Sequence, residues 1–305
     1  MSAALPDSIP GNLPGTIPAS WLVPEWPAPP GVHALCTSRE GGVSTAPWGS
    51  LNLGDHVGDD PQAVHTNRQR LQAIVRAHTP GACAVFLQQV HGVDVVALDA
   101  GSAQGQAFDA CVTSASGVVC TIMVADCLPV LLAHRSGAVV GAAHAGWRGL
   151  AGADGCGVIE SVFECFKALA LDGKALAAIN SEANSSPGGE DSADDIAKDT
   201  LVWLGPCIGP EAFEVGAEVR SAFCDIDTAA QHCFVPRADA PGKYLCDLAG
   251  LARLRLQAMG ITHIYGNSST APWCTVANAS RFFSHRRGSA ALGGSGRFAA
   301  CIWRD

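Results

Sequence analysis

Three side chains able to bind a metal stand where apolar runs stop: His91 in "QQVHG", Cys127 in "VADCLP" and His144 in "GAAHAGW". Two imidazoles and a thiolate make a three-ligand set for Zn²⁺ with the fourth tetrahedral position open to water or substrate, the catalytic rather than the structural arrangement. Copper accepts the same donors, so residue type leaves the metal open. Taken singly, each residue reads equally as structure, because histidines are often hydrogen-bonded in half-buried places and a lone cysteine is more often packing. The coincidence of three run ends, each beside a polar or glycine-rich corner, favours one shared site. The same residues allow a metal-free chemistry: Cys127 as a nucleophile activated by His144, in a cysteine hydrolase or a peptidoglycan-precursor editing enzyme. A third reading is a non-catalytic protein whose zinc supports its fold and whose surface binds partners.

Arginines form a second group. Arg39 in "TSREGGVS", Arg148 in "GWRGLAG", Arg286 and Arg287 in "FFSHRRG" and Arg297 in "GSGRFA" lie beside glycines or at a helix start. Glycine lets a backbone approach a ligand closely, and a helix N-terminus favours an anion, so these arginines point to a phosphate-sized site. Surface arginines, solvated or paired, would show the same pattern. Asn52 in "SLNLGDHVGDD" reads as a substrate-orienting amide or as turn chemistry. Of the nearby carboxylates Asp109, Asp126 and Glu214, Asp109 is the candidate acid or base, with hydrogen bonding in a turn as its alternative.

The elements that must position these groups follow from the hydrophobic pattern. "ACAVFLQQV", "VDVVAL", "GVVCTIMVA", "PVLLAH" and "GAVVGAAHA" are apolar, rich in β-branched residues and separated by turns, so they predict consecutive strands. "GLAGADGCGVIESVFECFKALAL" places Val158, Val162, Phe163, Phe166 and Leu169 at helical spacing and predicts the following helix. A strand-to-helix corner then falls at 146–149, with Gly146 and Gly149 making room for what binds. Farther on, "LVWLGPCIG", "ITHIYG" and "RFAACIWR" predict strands, and "GAEVRSAFC" and "LAGLARLRLQAMG" helices, the last stopped by Gly260. "HTNRQRL" predicts a helix start.

Composition narrows the class. The chain has 305 residues, 48% hydrophobic and 15% charged, enough for one large core. A net charge of -9 argues against a protein devoted to nucleic-acid backbones, while local arginines still permit small anionic substrates. The 13 cysteines are odd in number, scattered and without a C-x-x-C pair, so they predict no disulfide framework but buried thiols in a reducing cytoplasm. The apolar region 117–144 is broken by Asp126, His134 and Arg135 and does not predict a membrane span. Residues 1–20 read as a flexible leader and 180–199, polar and acidic, as a disordered insertion. The rest, 21–305, reads as one α/β domain.

Nine ordered stretches carry a family resemblance: "TSREGGVSTAPWGSLNLGDHVGDDPQAVHTNRQRL", "QQVHG", "FDACVTSASG", "ADCLPVLL", "AAHAGWRGL", "GPCIGPEAFEVG", Cys274-Thr275, "FFSHRR" and "GRFAACIW". Together they resemble the laccase-domain proteins, first called multicopper polyphenol oxidase-like and now associated with purine nucleoside phosphorolysis. The likeness runs from about residue 33 to 304. It implies an α/β (α+β) fold in which mixed β-sheets form a sandwich-like core flanked by helices, and a zinc site on His91, Cys127 and His144. It also implies phosphorolysis of adenosine, inosine and methylthioadenosine, with adenosine deamination as a further activity. The substrates would be small nucleosides and phosphate, with no nucleic acid or membrane as partner. Copper-dependent polyphenol oxidation is the older assignment, and it stands second because a multicopper site needs H-x-H pairs, of which this sequence has none. Four positions depart from the family pattern. Glu211 and Ala212 follow the second Gly-Pro where a cysteine is usual, Cys207 comes earlier, Phe213 replaces a tyrosine, and His285 takes an aromatic place. A role needing that second thiol or phenol is not carried over.

Overall fold

The computed structural model describes residues 16–180, 193–291 and 293–305. In order, the chain forms β1 (Val32–Cys36), α1 (Pro61–His78), β2 (Cys83–Phe86), β3 (Val95–Ala97), β4 (Ala110–Thr113), β5 (Val118–Val124), β6 (Leu128–His134), β7 (Val140–Ala145), α2 (Trp147–Ala151) and α3 (Val158–Asn180). It continues through α4 (Ala193–Lys198), β8 (Thr200–Leu204), β9 (Glu214–Gly216), α5 (Ala217–Cys224), β10 (Phe234–Pro236), β11 (Lys243–Cys246), α6 (Leu248–Ala258), β12 (His263–Gly266), α7 (His285–Ala291) and β13 (Phe298–Arg304).

Two mixed sheets stack face to face. The first has the order β1-β13-β5-β2 and the second β12-β8-β6-β7-β4-β3, with a small antiparallel sheet β10-β11-β9 beside them. The period of two along β5 explains the stacking: Cys120, Ile122 and Val124 face the second sheet, while Val119 and Met123 face α1. Strand β13 repeats the pattern, with Phe298, Ala300 and Ile302 toward the second sheet and Ala299, Cys301 and Trp303 toward α1. On β6, Leu131 and Ala133 meet the first sheet, and Val130 and Leu132 meet the layer of α3. The layers therefore run helix, sheet, sheet, helix, the sandwich with flanking helices that the sequence resemblance implies. Strands apolar on both faces are what a sheet covered on both sides requires.

Helix α1 starts where Asp60 caps it, its side chain accepting from the Gln62 N–H, and Pro61 takes the first helical turn. The helix expected over 149–171 is divided into α2 and α3. Gly152 and Gly155 between them adopt φ of 62° and 79°, and a Cβ at Gly152 would lie 1.8 Å from the Cys156 carbonyl oxygen. Strands β1, β4 and β9–β11 add to those expected.

The leader expected over 1–20 lies outside the described residues as far as residue 15. Residues 16–20 are described, with Pro18 buried. Of the expected disordered insertion, 181–192 lie outside the described residues, but its last part is the helix α4, whose Ile196 is fully buried. Among the described residues, no helix is long and apolar enough to cross a membrane.

Candidate metal centre

The end of β7 carries His144, paired in register with Pro129 of β6. Cys127 immediately precedes β6, in the turn by which the chain leaves β5 in one sheet and enters β6 in the other. His91 comes from the loop between β2 and β3. A sandwich brings such ends to one edge, and here the donor atoms of His91, Cys127 and His144 all lie within 4.8 Å of one another. The Cys127 Sγ is 3.8 Å from His91 Nε2, close to the roughly 3.5 Å that a sulfur and a nitrogen span across a tetrahedral zinc. Among the described residues, this is the one such histidine, cysteine and carboxylate group.

Asp109, fully buried at the start of β4, holds two of these ligands. Its Oδ1 accepts from the His91 N–H at 2.9 Å, and its Oδ2 from the N–H groups of Val90 and Gly92 at 3.1 and 2.6 Å. The same Oδ1 lies 2.8 Å from His144 Nδ1, which leaves His144 Nε2 for a metal. The loop is held so tightly that His91, a non-glycine, adopts φ of 62°. Burial pushes the Asp109 carboxyl up, but the bonds from His144 and the backbone outweigh it and hold the group below its usual range. Asp109 is therefore an ionised acceptor that orients His144. For the reading of Asp109 as an acid or base, the geometry offers no face toward the cavity, whose lining does not include it.

Electrostatics single out Cys127 among the cysteines. Burial alone would raise its pKa, yet the neighbouring His144 and His91 draw it down to about 6. His144 is lowered by burial but raised further by the Cys127 thiolate and Asp109, to about 9. By contrast, burial pushes Cys233 and Cys301 up to about 12, which keeps them as inert thiols.

Gly146 makes the cluster sterically feasible, since a Cβ there would lie 2.9 Å from His91 Cδ2 and 3.0 Å from Cys127 Sγ. Its space is for the ligands themselves. Gly149 serves another purpose than the one expected: a Cβ would lie 2.7 Å from the Gly92 carbonyl oxygen, so it lets α2 pack on the His91 loop.

The cluster opens on a cavity of about 400 Å³. Trp147, Ile208, Phe213 and Leu248 give it an apolar wall, and Arg286, Arg297, His56 and His285 add polar groups. Asp126, at φ of 96°, braces the rim: its Oδ1 accepts from Thr275 Oγ1 and its Oδ2 from the Arg286 N–H, both at 2.6 Å. Arg286 also stacks 5.9 Å from the Phe213 ring centre and donates to the Glu214 carbonyl at 3.1 Å. Arg297 is fixed from behind. Asn52 Oδ1 accepts from its N–H at 2.8 Å, Gly54 leaves space for its stem, and Nη1 donates to the carbonyls of Ser295 and Gly296. Among the described residues, its guanidinium donates only to backbone carbonyls, so its charge remains available to an anion.

Of the five arginines singled out from sequence, Arg286 and Arg297 line the cavity and the other three do not. Arg39 sends its guanidinium to the carbonyls of Gly49 and Ala279. Arg287 spends its own on those of Thr275, Val276 and Phe282. Arg148 is exposed, its guanidinium stacked 4.5 Å from the Trp147 ring centre. Arg39 and Arg287 thus knit loops together. Asn52 is fully buried and bonded to Gly54, Asp59 and the Arg297 backbone, so it positions Arg297 without facing a substrate. His56, a further cavity residue, lies in "GDHVGDD", a setting that reads as turn chemistry and carries no signal of a site.

Compared with known proteins, the sequence matches the multi-copper polyphenol oxidoreductase laccase family over residues 33–183 and 190–305. The chain belongs to that laccase family. It is 44% identical over 284 residues to a Pseudomonas aeruginosa protein named purine nucleoside phosphorylase PA4543, covering 93% of this chain and 98% of that relative. Purine nucleoside phosphorylase YfiH of Escherichia coli is 41% identical over 282 residues, covering 92% and 98%. Among solved structures, Neisseria meningitidis protein NMB0706 superposes with a TM-score of 0.72 at 38% identity, over 94% of this chain and 99% of that one. YlmD from Geobacillus stearothermophilus gives a TM-score of 0.68 at 29% identity, over 98% and 99%. Within this laccase-family chain, Phe213 and His285, two of the four departures, line the cavity beside Arg286. Glu211 and Ala212 instead border a separate hollow with Cys274.

Proposed function

We propose that the protein is a zinc-dependent purine nucleoside phosphorylase acting on adenosine, inosine and methylthioadenosine, with hydrolytic deamination of adenosine as a second activity. The names of its relatives support the reaction class. The observation that carries the reading is the opening of the His91, Cys127 and His144 cluster onto the same cavity as Arg286 and Arg297. When bound to the three donors, Zn²⁺ supplies Lewis acidity to an oxygen of phosphate or water. A thiolate and two imidazoles, one of them oriented by a carboxylate, suit zinc with an open fourth position.

The chain's own residues supply the rest. Arg286 and Arg297 hold phosphate by charge-assisted hydrogen bonds. Phe213 and Trp147 offer aromatic faces to a purine, and Ile208 and Leu248 exclude water from it. In phosphorolysis a phosphate oxygen bonds to C1′ as the C1′–N9 bond breaks, the electron pair leaves with the purine, and the purine takes a proton. The products are a free base and a ribose 1-phosphate or its methylthio counterpart. The partners are small molecules, and the cytoplasm, where Cys127 stays reduced, is the place of action.

The test is elemental analysis of the purified protein together with incubation with adenosine and phosphate. Stoichiometric zinc and phosphate-dependent release of adenine support the reading; inosine formed without phosphate reports deamination. Zinc-loaded protein that releases no base from any of the three nucleosides refutes it. Copper in place of zinc, with oxidation of a polyphenol, would support the oxidase alternative.

A second reading draws on the alignment of Cys127, His144 and Asp109, which also suits a cysteine nucleophile with its base and orienting acid. His91, 3.8 Å from the same sulfur, favours the metal. Metal-stripped protein that retains turnover and loses it on thiol alkylation would reverse that preference.

A further inference from the structure

Phosphorolysis moves a proton, and the metal ligands cannot move it while they hold zinc. The cavity has few other candidates. Asp126 has both oxygens engaged, by Thr275 Oγ1 and by the Arg286 N–H. His285 holds its ring against Ser289 Oγ, at 3.0 Å from Nδ1 and 3.4 Å from Nε2. The arginines keep their protons at any working pH. His56 remains.

His56 stands in the loop between β1 and α1, with half of its side-chain surface, 48%, exposed and its ring lining the cavity. Its Nδ1 lies 3.6 Å from Asp55 Oδ1, so Nε2 is the ring nitrogen with no carboxylate beside it. Asp55 is itself fixed by Arg68 of α1, 3.2 Å away. The charged groups acting on His56 are thus Asp55, Arg68 and Arg297, the last being the arginine assigned to phosphate. Burial and Arg297 lower its pKa, against the smaller raising effect of Asp55, so the ring is neutral near pH 7 and keeps a lone pair.

Resting on the phosphorylase reading above, we infer that His56 is the proton carrier of the reaction: its Nε2 takes the proton of the hydrogen-phosphate ion held by Arg297 and returns it to the departing purine. The balance closes. The P–O–H bond gives its proton to the imidazole, a phosphate oxygen forms the bond to C1′, and the C1′–N9 bond breaks with its electron pair on the purine. The imidazolium then passes its proton to that purine, and His56 ends neutral. No external acid, base or redox partner is required.

The experiment compares H56Q and H56N with the wild-type holoenzyme, using adenosine and inorganic phosphate over pH 5 to 9. The expected result is a fall in kcat of about 10²–10⁴-fold, the size of an acid–base contribution. The KM for phosphate should stay within about threefold, because Arg297 is untouched. The wild-type acidic limb, where protonated His56 can no longer accept a proton, should flatten in both variants. Zinc content and melting temperature should match the wild type, which a merely structural role would not leave unmoved. Variants with wild-type kcat and an unshifted acidic limb overturn the assignment of His56. A wild-type holoenzyme that releases no base overturns the phosphorylase reading and this inference together, so the two failures are told apart.

Discussion

Asp109 Oδ1 lies 2.8 Å from His144 Nδ1, and the His144 N–H donates to the Asp109 carbonyl at 2.7 Å, so neighbouring strands lock side chain to side chain and backbone to backbone. The carboxylate also gathers the N–H groups of Val90, His91 and Gly92. One buried anion thereby fixes the tautomer of one ligand and the loop of another. D109N places an amide NH₂ among those donors. Zinc affinity should fall about 10–100-fold, as it does when such outer partners are lost. Competition against a chromogenic chelator measures it, and unchanged affinity would show that the pairing is incidental.

The thiolate and imidazolium predict how zinc uptake depends on pH. With Cys127 near 6 and His144 near 9, the metal-free site at pH 7.5 holds an ionised sulfur and a protonated His144. Zinc must displace the His144 proton. Uptake should release about one proton per ion, and affinity should rise with pH until it levels near 9. Below about 6 the sulfur is protonated as well, and affinity should fall more steeply. Calorimetry in two buffers of different ionisation enthalpy counts the protons; zero released at pH 7.5 would contradict the ion pair.

Two glycines that look alike in "HAGWRGLAG" should fail in different ways. G146A drives a Cβ to 2.9 Å from His91 Cδ2 and 3.0 Å from Cys127 Sγ, so the ligands must part and bound zinc should drop while the fold persists. G149A meets the Gly92 carbonyl at 2.7 Å, a backbone atom that cannot turn aside. It should destabilise the protein by about 1–3 kcal/mol, the usual penalty of overpacking. Zinc content and thermal unfolding, read on both variants, separate the two effects.

The candidate ligand set is marked in the sequence because each member stands by the end of an apolar run, although in the structure only His144 lies on a strand, with Cys127 in the turn before β6 and His91 in the loop after β2. Long strands such as β5 and β6 are legible as such runs. Strand β4 is not marked in the sequence, since its four residues lack the longer apolar run that surrounds β2 in "ACAVFLQQV", and β9–β11 owe their pairing to distant partners. Arginines misled most. Arg39 and Arg287 sit beside glycines just as Arg297 does, but whether a guanidinium meets a ligand or a backbone carbonyl is decided by residues far along the chain. Ala279 is the partner of Arg39, and Asn52 the support of Arg297.

That dependence on distant support supplies the last prediction. Arg297 is set by Asn52 at its N–H, by Gly54 under its stem and by two carbonyls at Nη1, so its remaining donors are aimed before phosphate arrives. A lysine keeps the charge but loses the planar fork and cannot hold the carbonyls and an anion at once. R297K should therefore raise the KM for phosphate roughly tenfold, about 1.4 kcal/mol, with the KM for adenosine little changed. N52A, which removes only the support, should raise the same KM and also lower stability, because it leaves the buried Arg297 N–H without its acceptor. Initial rates at varied phosphate and fixed saturating adenosine check both. Equal effects on the two substrates would place Arg297 outside the phosphate site.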